Sequence, residues 1–133
     1  MLNGSNTFTF NNTSNTLTIT NTSSNSVVST KFTEGVYNYG NASGTLTIDV
    51  NNGSIQRMTA NGNITINSIS NVANGTSMTL VIAQDATGNR QLSSTMKFAA
   101  NLRTLSTAAN AIDVMCVFYD GTDYLASLTK GYA

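Results

Sequence analysis

Along most of the chain, apolar and polar residues alternate in short runs, separated by turns that contain Asn or Gly. The clearest run covers residues 78–84 and leads into a turn at Asp85-Ala86-Thr87-Gly88. Ile112–Tyr119 is the most hydrophobic stretch; it stops at Asp120-Gly121-Thr122, after which residues 124–128 leave as a second run. Strict alternation predicts a half-buried strand, an unbroken apolar run a strand covered on both faces, and Asp-Gly between two runs a hairpin. The last third, residues 77–133, is therefore expected to hold the core of a β-sandwich.

Upstream, residues 45–50 alternate cleanly and put Leu46, Ile48 and Val50 on one face. Turns at Asn51-Asn52-Gly53 and Asn61-Gly62 bracket an expected strand over residues 55–60; another follows over 63–67, then a loop over 71–76. Residues 31–40 are an aromatic-rich strand or strand and turn, and shorter strands are expected near 90–92, 96–98 and 102–105. Residues 107–114 contain helix-forming alanines but are short and lack a capping box, so a loop feeding the Ile112 strand is the better reading. About eight to ten short strands at spacings of roughly 8–12 residues are the pattern of a sandwich or barrel. The expected fold is all-β, an antiparallel jelly-roll-like β-sandwich over residues 31–133 with an extended N-terminal arm over residues 1–30.

That first segment carries no charged side chain. Its two alternating pieces, Thr7-Phe8-Thr9-Phe10 and Leu17-Thr18-Ile19-Thr20, bring only two apolar residues each, too few to anchor a strand firmly. Either they pair at the edge of the sandwich, or the segment is an arm that orders on a partner by strand addition. In the second case Phe8, Phe10, Leu17 and Ile19 are the partner-binding residues.

Composition narrows the picture. The chain has 133 residues, one domain's worth, with 19 Asn, 21 Thr and 15 Ser but only 9% charged residues, so neutral amides and hydroxyls keep it in solution. Regularly spaced Ile, Val, Leu, Phe and Tyr separate it from a disordered polar chain. A formal net charge of zero, with the six basic residues scattered, argues against a nucleic-acid partner. The start of the chain has neither the basic nor the apolar region of a signal peptide, and no run is long enough for a membrane helix. Cys116 has no second cysteine to pair with and reads as a small buried hydrophobe.

Chemistry is sparse. With no His and one Cys, most nucleophilic triads and the usual zinc sites are excluded. Asp85, Asp120 and Asp123 sit in expected turns, without the alternating acidic spacing of a calcium loop. Asp49 is expected on a solvent face. Asp113 points away from the Ile112, Val114, Cys116 and Phe118 face, toward an Arg or a backbone amide. Tyr37, Tyr39, Tyr119, Tyr124 and Tyr132 could stack sugars, although rings that fill the sandwich and cover its ends are the plainer reading. No catalytic, metal or cofactor site is expected, and an enzyme is not.

A series of segments, in order and spacing, resembles a β-sandwich module of tailed-bacteriophage virion proteins, found in tail fibre and appendage ends and in head decoration (cement) proteins. The series starts with Gly44-Thr45-Leu46-Thr47-Ile48-Asp49-Val50 and Asn52-Gly53-Ser54-Ile55-Gln56. It continues through residues 59–66 with Gly62-Asn63, Ser77-Met78-Thr79-Leu80-Val81-Ile82 and Gln84-Asp85-Ala86-Thr87-Gly88-Asn89-Arg90. It ends with residues 105–114 and Phe118-Tyr119-Asp120-Gly121-Thr122. Relatives often carry Trp-Pro and Trp where this chain has Leu92-Ser93 and Phe98, which implies local repacking. The resemblance implies a virion structural protein and carries no catalytic residue. Head or tail is not decided by it. The chain's length and its first 30 residues favour a homotrimeric decoration protein on the capsid outer surface, bound to the major capsid protein. The alternative is a tail fibre or appendage tip binding a host-surface glycan through the tyrosines or the Asp120-Gly121 loop. A third reading is a soluble glycan-binding module unrelated to virions.

Overall fold

The computed structural model describes residues 7–11, 13, 16–20 and 30–133. The chain divides into two compact units, Met1–Phe32 and Thr33–Ala133.

In the first unit, β1 (Thr7–Asn11) pairs antiparallel with β2 (Thr16–Thr20), setting Phe8 opposite Ile19 and Phe10 opposite Leu17. The two alternating pieces are thus partners of each other. Their side chains, including those of all four candidate partner-binding residues, lie outside the described residues.

The second unit is all-β. Its main sheet runs β3 (Val36–Thr45), β5 (Ile55–Thr65), β7 (Thr76–Gln84), β10 (Ile112–Tyr119), β11 (Tyr124–Tyr132) and β9 (Lys97–Phe98). A second, shorter set of strands contains β4 (Ile48–Asp49) paired with β6 (Ile69–Ser70), while β8 (Leu92–Ser93) pairs with the end of β5. Between the two sets lies one core, in which Ile48, Met58, Ile64, Ile66, Leu80, Ile82 and Met115 are all at most 1% exposed. Burying such a side chain fully is worth roughly 1.5–3 kcal/mol.

Packed β layers are as expected; the direction of pairing is not. Antiparallel pairing holds for β7–β10–β11, but β3–β5–β7, β4–β6, β5–β8 and β9–β11 are parallel. Parallel register partners lie at differing separations: Val36 with Ile55 (55 − 36 = 19), Ile55 with Thr79 (79 − 55 = 24), Ile64 with Leu92 (92 − 64 = 28). Parallel neighbours need a crossover of a dozen or more residues. Here the crossover is the second layer itself, so the chain completes a circuit instead of reversing at each Asn-Gly.

Asn61-Gly62 shows why those turns mislead. It lies inside the single strand β5, where Gln56, Met58, Ala60 and Ile64 keep the buried parity. A Cβ at Gly62 would meet the Ser43 Cβ at 2.8 Å, so glycine is there for close approach to β3 rather than for a hairpin. Asn51-Asn52-Gly53, in contrast, is a true corner: a 3₁₀ turn, Val50–Asn52, capped by the Asp49 carboxylate accepting from the Asn51 N–H at 2.9 Å. Residues 102–105 form no strand, and residues 107–110 are the expected loop, with no helix.

β10 corrects two further expectations. It is not covered on both faces: Asp113, Met115 and Val117 are buried, while Cys116 and Phe118 are exposed. Cys116 is therefore not a core hydrophobe. The deciding residue is Asp113, 1% exposed, whose carboxylate accepts from the Ser106 N–H (2.6 Å), the Ser106 hydroxyl (2.7 Å) and the Gly131 N–H (2.9 Å). Gly131, at φ +77°, lies where the β10–β11 register slips between Ile112 and Val114. A polar side chain in an apolar strand thus faces inward because a bulge and a loop supply its donors.

Candidate functional site

Among the described residues, the outward face of the main sheet carries several exposed apolar side chains. Aligned residues on neighbouring strands place Val36, Ile55, Thr79, Cys116 and Ser127 in one row. Arg57, Val81, Val114 and Thr129 form the next row, and Ser77, Phe118 and Leu125 another. Val36 is 60% exposed, Leu125 43% and Phe118 41%. A shallow depression in this face is lined by Ser77, Thr79, Cys116, Phe118, Leu125 and Ser127. These three rows carry two charged side chains: Arg57, and Lys97 of β9, which aligns with Leu125 and is paired with Asp123. Contiguous exposed apolar surface of this kind marks an interaction site more often than scattered single residues do.

The acidic residues are engaged in turns and ties. Asp85 accepts from the N–H groups of Thr87 (3.0 Å) and Gly88 (2.9 Å) and pairs with Arg90 at 2.6 Å, the guanidinium donating through both Nε and Nη2. The Arg90 guanidinium holds the Asp85 carboxyl below its ordinary value, and Asp85 in turn raises Arg90. The Asn71 amide and the Asn51 N–H lower Asp49. In the β10–β11 hairpin, Asp120 accepts from the N–H groups of Thr122 (2.8 Å) and Asp123 (2.7 Å), which lower it. Lys97 donates to Asp123 at 2.5 Å across an exposed surface and is raised by it. Among the described residues no group of His, Cys, Asp and Glu is arranged to hold a metal ion.

The five tyrosines do not converge. Tyr119 and Tyr124 pack with ring centroids 4.7 Å apart, and their hydroxyls donate to the Gly121 and Ile69 carbonyls, at 3.0 and 3.1 Å. Tyr39 packs against the core, while Tyr37 and Tyr132 are exposed on different strands. The rings close the structure; they form no platform for a sugar. The Asp120-Gly121 loop is likewise occupied, since a Cβ at Gly121 would meet the Asn74 side chain at 2.8 Å. The residues missed from sequence are Phe118, Leu125 and Cys116. The signal was the parity of Asp113: once a carboxylate is placed inward, its alternate neighbours must face out.

Residues 36–124, from the start of β3 to the first residue of β11, match the family model described as "Putative phage tail fibre C-terminal domain". No curated protein and no solved structure matches the chain.

Proposed function

This chain belongs to the phage tail fibre C-terminal domain family, and from that premise we propose that it forms the end of a tail fibre or appendage and meets a glycan on the host cell. It is a phage structural protein, and the role proposed for it is non-enzymatic. The observation that carries the tail placement is the family match, which runs from the start of β3 to the first residue of β11. The same match weighs against decoration of the capsid outer surface and against the major capsid protein as partner. Those expectations rested on chain length and on residues 1–30, which the matched range does not include.

The sheet face supports assembly with further copies of this chain, as a homotrimer. A surface that meets its own copy must not confront like charges, and these rows carry two, Arg57 and Lys97, the second already paired with Asp123. Five strands about 4.8 Å apart and eight residues long cover on the order of 600 Å². A stable interface buries ~800 Å² per partner. Gold-labelled antibody against the protein, applied to intact particles, tests the placement. Label confined to the distal tail is the expected result; label spread over the head restores the decoration reading.

A further inference from the structure

We infer that a polar cleft beside the Asp85–Arg90 loop binds the acidic group of an anionic saccharide, one carrying a carboxylate or a phosphate. The inference rests on the host-glycan reading above and assigns to it residues and a ligand class. One wall of the cleft is formed by Asn89, Arg90 and Gln91, the other by Arg103, Thr104 and Thr107, with the largely buried Leu92 and Leu105 between them. Its volume is about 330 Å³. That lies at the low end of ligand pockets, roughly 300–1,000 Å³, and suits one or two sugar residues.

Charge selects the ligand. Arg90 is neutralised by its two-pronged pair with Asp85. Arg103 is not: it donates to the Ser94 carbonyl (2.9 Å) and the Asn101 side-chain oxygen, and lies 5.6 Å above the Phe98 ring. All these partners are uncharged. A guanidinium has about five N–H donors in a planar fork that fits carboxylate and phosphate oxygens, so donors remain for a ligand. The exposed amides of Asn89 and Gln91 and the hydroxyls of Thr104 and Thr107 are the complement a sugar's hydroxyls require. A neutral sugar leaves the Arg103 charge unanswered; an acidic one does not.

The walls are set before any ligand arrives. The buried Gln84 side chain donates to the Arg90 carbonyl at 2.9 Å and accepts from the Arg90 N–H at 2.8 Å. The Asn89 N–H donates to the Thr107 carbonyl at 2.9 Å, joining wall to wall. Gly88 fits so closely that a Cβ would lie 2.5 Å from that carbonyl. A preformed site avoids the ordering cost of assembling one on binding.

The test is a titration of the ¹⁵N-labelled full chain with N-acetylneuraminic acid, galacturonic acid, glucose 1-phosphate and galactose, followed by amide shifts. The acidic sugars are expected to move the amides of residues 89–92 and 103–107, and galactose to leave them in place. Whichever of the carboxylated or phosphorylated sugars saturates first names the acidic group. Arg103→Ala is expected to weaken binding about tenfold or more, as for loss of a charge-assisted hydrogen bond. Arg103→Lys, which keeps the charge without the fork, should lie between. Thr107→Val, which leaves every hydrogen bond of Arg103 intact, should weaken binding several-fold even where Arg103→Ala does not fold. Shifts that miss the cleft, equal response to galactose, or full affinity in Thr107→Val and Arg103→Lys together overturn the assignment. Gold labelling of the tail is independent of this titration, so a failed titration removes the cleft and leaves the tail placement standing.

Discussion

Asp113 holds two separate segments to one strand. It is buried, and its carboxylate ties the Ser106 loop and the Gly131 bulge to β10 through three hydrogen bonds. Hydrogen bonds to a charged group contribute ~1.5–3 kcal/mol each, and an orphaned buried partner costs more. Asp113→Ala is expected to lose about 3–5 kcal/mol in urea unfolding; a loss under 1 kcal/mol contradicts the role. The glycines give a paired comparison. Gly62→Ala drives a Cβ against Ser43 and should cost roughly 1–3 kcal/mol. Gly35→Ala enters open space without a positive φ and should stay within about 0.5 kcal/mol of the parent. Titration follows from the shifted groups. Asp49, Asp85 and Asp120 are lowered on folding, so their contribution is present above the unfolded value of about 4 and is lost as pH falls through their folded values. Lys97 is raised, so its contribution is present below the unfolded value of about 10.5 and is lost as pH rises through the folded one. With no His in the chain, the melting temperature should be flat between about pH 5 and 8 and fall on the acid side below about 4. A step near pH 6 contradicts this.

At the level of elements, alternation made most strands legible. Leu46 and Ile48 are buried together as their spacing implied, and the Asp120-Gly121 hairpin joins β10 to β11. Strand direction was not legible, because an Asn-Gly pair looks the same whether it reverses the chain or lets two backbones approach. Only Ser43, distant in sequence, distinguishes the cases at Gly62. The hydrophobicity of β10 likewise hid which of its faces is the core. The outward face carries a prediction: Cys116 should react readily with iodoacetamide in dilute protein and be protected at concentrations where copies associate. Phe118→Lys should hold the protein monomeric by sedimentation and keep Cys116 reactive at every concentration. Equal reactivity of the parent as monomer and oligomer places the assembly surface elsewhere.

For the whole molecule, the sequence pointed to a phage virion module, and residues 36–124 bear that out. The choice of head over tail leaned on the chain's length and its first 30 residues, and the family points to the tail instead. The candidate surface was illegible for a physical reason. Folding buries one face of an amphipathic strand, and an apolar residue on the other face looks identical in sequence until the core is assigned. The claim that matters most is that this chain meets the host. Its most direct test is competition: host cells are incubated with purified protein before phage is added, and the adsorption rate is measured. The account predicts that adsorption slows in proportion to the sites occupied by the protein. An unchanged rate at saturating protein, with no labelled protein retained on the cells, contradicts it.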